Sequence, residues 1–173
     1  MSDYFAAAVT RTGTGWAGRE LNLDEVDDFD SLVDLLRDLA EDDADTDAQT
    51  PGPVLLLLEE NDEYVGIVRV DGEAEPRCFL SDARVTAGSD LANLLRDNLE
   101  STAEVADDDE EPVASSKATT APIGDSALLA DLGVAAEELL DLCAGKGMLP
   151  ADVVTVVAER LGCLETVEEL RGV

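Results

Sequence analysis

The chain has 173 residues, and its 41 acidic side chains face 11 basic ones, giving a formal net charge of −30 with no histidine. A field of that sign repels nucleic-acid phosphates and anionic membranes and attracts basic protein surfaces. The lack of histidine removes the usual neutral-pH acid–base and the commonest zinc ligand.

Tyr4–Arg11 is a short apolar run with strand character, and Gly13-Thr14-Gly15 turns it into a second strand, Trp16–Leu21. Phe29, Leu32, Val33, Leu35, Leu36 and Leu39 then recur at helical spacing, with Asp28 or Asp30 placed to cap the helix. The acidic loop Glu41–Asp47 and Pro51-Gly52-Pro53 end it. Val54–Leu58 is a continuous apolar run, the pattern of a central strand buried on both faces. Asn61-Asp62 turns the chain into Tyr64–Val70, Asp71-Gly72 marks another tight turn, and Arg77–Leu80 supplies a shorter strand. Leu91, Leu94, Leu95 and Leu99 line a second helix, with Ser89 or Asp90 as its N-cap. Residues 1–99 therefore predict an α+β domain, an antiparallel five-stranded sheet with two helices in the order ββαβββα.

Residues 100–125 carry 8 acids and 1 base, more acidic per residue than 1–99 or 126–173 taken whole, and include Asp107-Asp108-Asp109-Glu110-Glu111 followed by Ser, Thr and Pro. A like-charge block without apolar periodicity cannot offset its chain entropy, so a disordered linker is expected there. Residues 126–173 read as helical throughout. Leu128, Leu129 and Leu132 stop at Gly133; Leu139, Leu140 and Leu142 stop at Gly145-Lys146-Gly147; Pro150 opens a run of valines ending at Gly162; and Leu164, Val167 and Leu170 close the chain's pattern. Four short helices would form a small bundle or a subdomain docked on the sheet.

With 3% aromatic residues the core must be aliphatic. The three cysteines, Cys78, Cys143 and Cys163, are widely spaced and odd in number, which suits reduced thiols in a cytoplasm. Met1-Ser2-Asp3-Tyr4-Phe5 has no basic region before its apolar stretch, so no signal peptide is expected, and no apolar run is long enough to span a membrane.

Asp43, Asp45 and Asp47 have the alternate spacing of calcium-loop ligands, but Ala48 stands where that loop needs glycine and Val54 where it needs a bidentate Glu. There is no Cys-x-x-Cys for zinc, and no P-loop surrounds Gly145-Lys146-Gly147. Nucleophilic catalysis lacks its usual base. Clustered carboxylates at Glu59–Glu63 resemble a glycosidase pair only as any pair would among 41 acids. The chain is thus expected to be non-catalytic, without metal or cofactor. The candidate partner-binding residues are Glu59, Glu60, Asp62 and Glu63 on an exposed hairpin tip, with Asp42, Asp43 and Asp45 in the acidic loop beside it. They would engage Arg and Lys of a basic protein surface; simple solvation is the competing explanation. Trp16 is either an interface anchor or core.

Several segments carry a family likeness: Tyr4-Phe5-Ala6-Ala7, Gly15-Trp16, Val54–Glu63, Arg69-Val70-Asp71-Gly72, Phe79-Leu80-Ser81-Asp82, Leu149-Pro150-Ala151-Asp152 and Val156–Gly162. Together they resemble the small acidic tRNA adenosine deaminase-associated proteins of high-GC bacteria, over most of the chain except the linker. The resemblance implies a connection to the enzyme that deaminates the wobble adenosine of tRNA, and it brings no catalytic residues with it. The chain lacks the His-x-Glu and Pro-Cys-x-x-Cys signatures of zinc deaminases, so it is not expected to be that enzyme. An acidic accessory factor could dock on the enzyme's basic tRNA-binding face as chaperone or regulator. The alternatives are a chaperone or adaptor for other clients, or a salt-adapted domain with no tRNA connection.

Overall fold

In the computed structural model the described residues are 4–12, 15–43, 52–60, 62–72, 74–82, 89–103, 123–144 and 148–172, with the side chains of 43, 97–103 and 144 outside that description. The strands are β1 (Tyr4–Thr12), β2 (Gly15–Glu20), β3 (Val54–Glu60), β4 (Tyr64–Val70), β5 (Arg77–Leu80) and β6 (Ile123–Gly124). They form one sheet, ordered β2-β1-β3-β4-β5-β6, and every pairing is antiparallel. The helices are α1 (Phe29–Asp43), α2 (Asp90–Ala103), α3 (Ala136–Ala144), α4 (Pro150–Leu161) and α5 (Leu164–Arg171), with a 3-10 turn at Ala130–Leu132.

Strand alternation divides the apolar residues between two cores. Ala6, Ala8, Val54, Leu56, Leu58, Val68, Cys78 and Leu80 meet Leu32 and Leu36 of α1 and Ala92 and Leu95 of α2 on one face. Val9, Leu55, Leu57, Val65, Ile67 and Phe79 meet Leu139, Val153, Val154, Val157 and Val167 of α3–α5 on the other. The continuous apolar run of β3 is therefore explained by burial on both sides, at the middle of the sheet. The helices of 126–173 do not form a separate bundle: α4 and α5 pack directly on the strands.

The sheet has six strands where the sequence predicted five. Ile123 and Gly124 pair with Leu80 and Phe79, and two residues are too few to show alternation. They also sit inside the stretch read as a linker, as does the end of α2. The remainder of that stretch, 104–122, lies outside the described residues, as do the Gly13-Thr14 turn and Gly145-Lys146-Gly147.

The caps follow from local hydrogen bonding. Asp28 caps α1, accepting the Ser31 N–H at 2.7 Å, and hydrogen bonding from Ser31, the side chain first and the backbone second, lowers its carboxyl pKa. Ser89 caps α2 by accepting the Ala92 N–H at 3.0 Å. Gly162 ends α4 at φ 90°, a left-handed conformation that favours glycine. Arg37 of α1 donates to the carbonyls of Gly72 (3.0 Å) and Ala74 (3.3 Å), fixing the far part of α1 over the β4–β5 connection.

Candidate interaction surface

One end of the sheet gathers most of the segments in question. Tyr4 opens β1 opposite Glu60, the last residue of β3, and the Glu63 N–H closes the β3–β4 turn on the Glu60 carbonyl at 2.9 Å. Asp62 in that turn has φ 56°, a region Asp tolerates better than most residues. The Tyr4 hydroxyl accepts the Leu23 N–H at 2.8 Å and donates to Asn22 Oδ1 at 3.1 Å. These bonds bring the exposed acids Asp24, Glu25, Asp27 and Asp28 to the same end. The start of α2 arrives through Ser89, the end of α5 through Arg171 and the start of α4 through Asp152, whose charge is felt at Glu59.

Glu59 and Glu60 were expected to be exposed, and neither is. Alternation along β3 sends them to opposite faces. Glu60 is 2% exposed, and its Oε2 accepts hydrogen bonds from Tyr64 (2.7 Å) and from the Ser89 hydroxyl. Since Ser89 also caps α2, this carboxylate ties β3 to that helix. Burial pushes the Tyr64 hydroxyl pKa far up. Glu59 accepts a 2.6 Å bond from Arg171 Nη2, and the Arg171 guanidinium stacks 4.8 Å from the Phe5 ring. Burial raises the Glu59 pKa, and Arg171 offsets only part of that effect. Both carboxylates are thus occupied with fold-internal partners.

Asp62 and Glu63 are exposed at the turn. Asp42 is also exposed, but α1 runs past Arg37 to the opposite end of the sheet, where β3 begins. A strand of seven residues, roughly 23 Å, separates it from the turn, so the two acidic groups are not neighbours. Asp43 ends α1, and Asp45 lies outside the described residues.

Part of this acidity has a local use. Asp30, Asp90 and Asp152 lie in the first turns of α1, α2 and α4, where the helix dipole favours negative charge. Glu41, Asp42 and Asp43 lie in the last turn of α1, where it does not, and that turn holds no basic residue.

Among the described residues, the arginines are in contrast largely engaged by partners within the fold. Arg69 is buried in β4 and donates to the Leu128 carbonyl (2.6 Å) and to both oxygens of Asp131 (2.5 and 2.9 Å). Arg77 bonds Asp125 at 2.5 Å beside β6, and Arg160 pairs with Glu138 at 2.9 Å between α4 and α3. Trp16 is partly buried, and its indole N–H donates to the Leu161 carbonyl at 3.1 Å, joining β2 to the end of α4. It serves the core.

Among the described residues, no three His, Cys, Asp or Glu side chains group as metal ligands would. The cysteines are free thiols; burial pushes Cys78 up to about 12 and Cys143 and Cys163 up to about 11, well away from the thiolate. Among the described residues, no helix is long and apolar enough to cross a membrane. Sequence reading missed one feature: Leu140, assigned above to an apolar stripe, is exposed, as are Met148 and Leu149. The signal was available in the spacing, because Leu139, Leu142 and Cys143 already fill the i, i+3, i+4 face.

A family model described as Rv3753c-like tRNA adenosine deaminase-associated protein matches residues 4–164, and the chain belongs to that family. No curated protein and no solved structure matches it.

Proposed function

We propose that this member of the tRNA adenosine deaminase-associated family is a non-catalytic accessory factor. It binds protein, docking its acidic surface on the basic tRNA-binding face of the deaminase. One observation carries the reading: Arg37, Arg69, Arg77, Arg160 and Arg171 all pair within the fold, while acids such as Asp62, Glu63 and Asp42 face outward. A tRNA-binding enzyme presents cationic groups to phosphates, and an acidic protein surface is complementary to the same groups. The Glu59 and Glu60 carboxylates support a structural role, since each is engaged by neighbouring elements. Asp62 and Glu63 remain as the contact residues of the turn.

Titration calorimetry of the deaminase with this protein tests the reading. A saturable complex is expected at low salt, weakening as salt rises. The double variant Asp62→Asn, Glu63→Gln keeps a residue tolerant of positive φ at position 62 and removes two rim charges. It should weaken binding roughly 2- to 30-fold, the range for exposed charge pairs. No association at low salt overturns the reading.

A further inference from the structure

Three local choices in the α3–α4 hairpin run against local physics, and all three leave something on the surface. The N-cap of α4 is Leu149, at a position where Ser, Thr, Asp or Asn is preferred and Leu is among the poorest residues. It is 51% exposed, and the helix start is instead supported by Asp152, whose carboxylate accepts the Leu149 N–H at 3.1 Å. On α3, Leu140 (36% exposed) is turned off the core face, while Leu139 is buried. Flanking Leu140, Glu137 and Asp141 are exposed like charges at i, i+4 spacing, a mildly destabilising arrangement in isolation. Met148, 37% exposed, lies beside Leu149 in the chain. Leu140, Met148 and Leu149 are the exposed large apolar side chains among the described residues, and all belong to this one hairpin. Where a sequence departs from local preference at several places in one short stretch of chain, a functional surface is one of the expected causes.

We propose that this hairpin is a docking surface for a basic amphipathic helix of a partner protein. That helix places an apolar side chain on Leu140, Met148 and Leu149 and its Lys or Arg residues against Glu137, Asp141 and Asp152. Charge decides the occupant. A second copy of this chain, a nucleic acid or an anionic membrane would each bring negative charge to an acidic rim, and only a cationic segment relieves the Glu137–Asp141 repulsion. The inference deepens the proposed function and rests on it only for the cationic character of the partner.

The test uses probes independent of the deaminase, so its failure is distinct from failure of that reading. The full chain is titrated with a synthetic amphipathic Leu–Lys helix and with a peptide of equal charge in which Gln replaces Leu. The intact protein should bind the Leu–Lys peptide about tenfold or more tightly than the Gln–Lys peptide. The double variant Met148→Ser, Leu149→Ser should bind the two alike. Serine at 149 is a favoured N-cap, so the variant keeps its fold, which a thermal melt checks. Amide exchange gives a second readout: the Leu–Lys peptide should slow exchange across 136–144 and 148–153. Equal binding of both peptides by the intact protein, discrimination retained by the variant, or protection located elsewhere overturns the proposal. So does concentration-dependent self-association of the intact protein that the variant abolishes.

Discussion

Adjacent carboxylates at 59 and 60 show how far a sequence pattern carries at the level of single residues. Read as chemistry, Glu59-Glu60-Asn61-Asp62-Glu63 is an acidic tip. Read as a strand continued by two residues, it assigns the first two acids to opposite faces. The second reading holds because Phe5 and Tyr4 of β1 pair with Glu59 and Glu60 and extend β3 beyond its apolar run. No apolar residue announces that extension, so the strand looks finished at Leu58. Ser89 was legible as a cap from its type and position; its bond to Glu60 was not, because the two are distant in sequence. The Arg69–Asp131 pair is long-range in the same sense, and it makes a definite prediction. Arg69 holds the Asp131 carboxyl below its ordinary value of 3.8. Its contribution is therefore full above the ordinary carboxylate range and is lost as pH falls through the depressed folded value. Asp131→Asn should cost about 1–2 kcal/mol at neutral pH, discounted for the exposure of Asp131, because the buried guanidinium keeps only Asp71 and the Leu128 carbonyl. Urea midpoints of both proteins should converge on acidification; a gap that does not change with pH would refute this role for Asp131.

Elements fared better than residues because periodicity is a local signal. β4 starts and stops where Val/Ile enrichment and the flanking turns place it, β5 ends at the Ser81-Asp82 stop, and α1 begins at its Asp28 cap. One element and one direction escaped. β6 is too short to be periodic, and its pairing with β5 is a tertiary event, secured by Arg77 and Asp125. The direction of α1 relative to the sheet was also hidden, which is why Asp42 was grouped with a turn at the opposite end. The same helix offers a test of how much acidity local structure explains. Its last turn carries Glu41, Asp42 and Asp43 against the negative end of the dipole. Asp42→Lys should stabilise the protein by about 0.3–1 kcal/mol at low ionic strength, and the gain should shrink as salt screens it. Chemical denaturation at two salt concentrations measures this, and a loss of stability would mean that Asp42 has a partner within the fold.

At the scale of the molecule, helices on both faces of an antiparallel sheet place the aliphatic core inside, engage arginines within the fold and leave acids on the surface. The fold class was legible in the order of elements, the charge in composition, and the family likeness in short segments. The docking of 126–173 on the second face of the sheet was not, because helices that could bundle together or dock on a sheet have the same amphipathic pattern. Docking of an acidic surface on a tRNA-binding face has a direct consequence: the protein and tRNA exclude one another. The decisive measurement is displacement of labelled tRNA from the deaminase by increasing amounts of this protein at low salt, read by fluorescence anisotropy. Mutual exclusion predicts that anisotropy falls to the free-tRNA value, with a midpoint that rises with tRNA concentration. A ternary complex of tRNA, deaminase and this protein, with tRNA affinity unchanged, would contradict it.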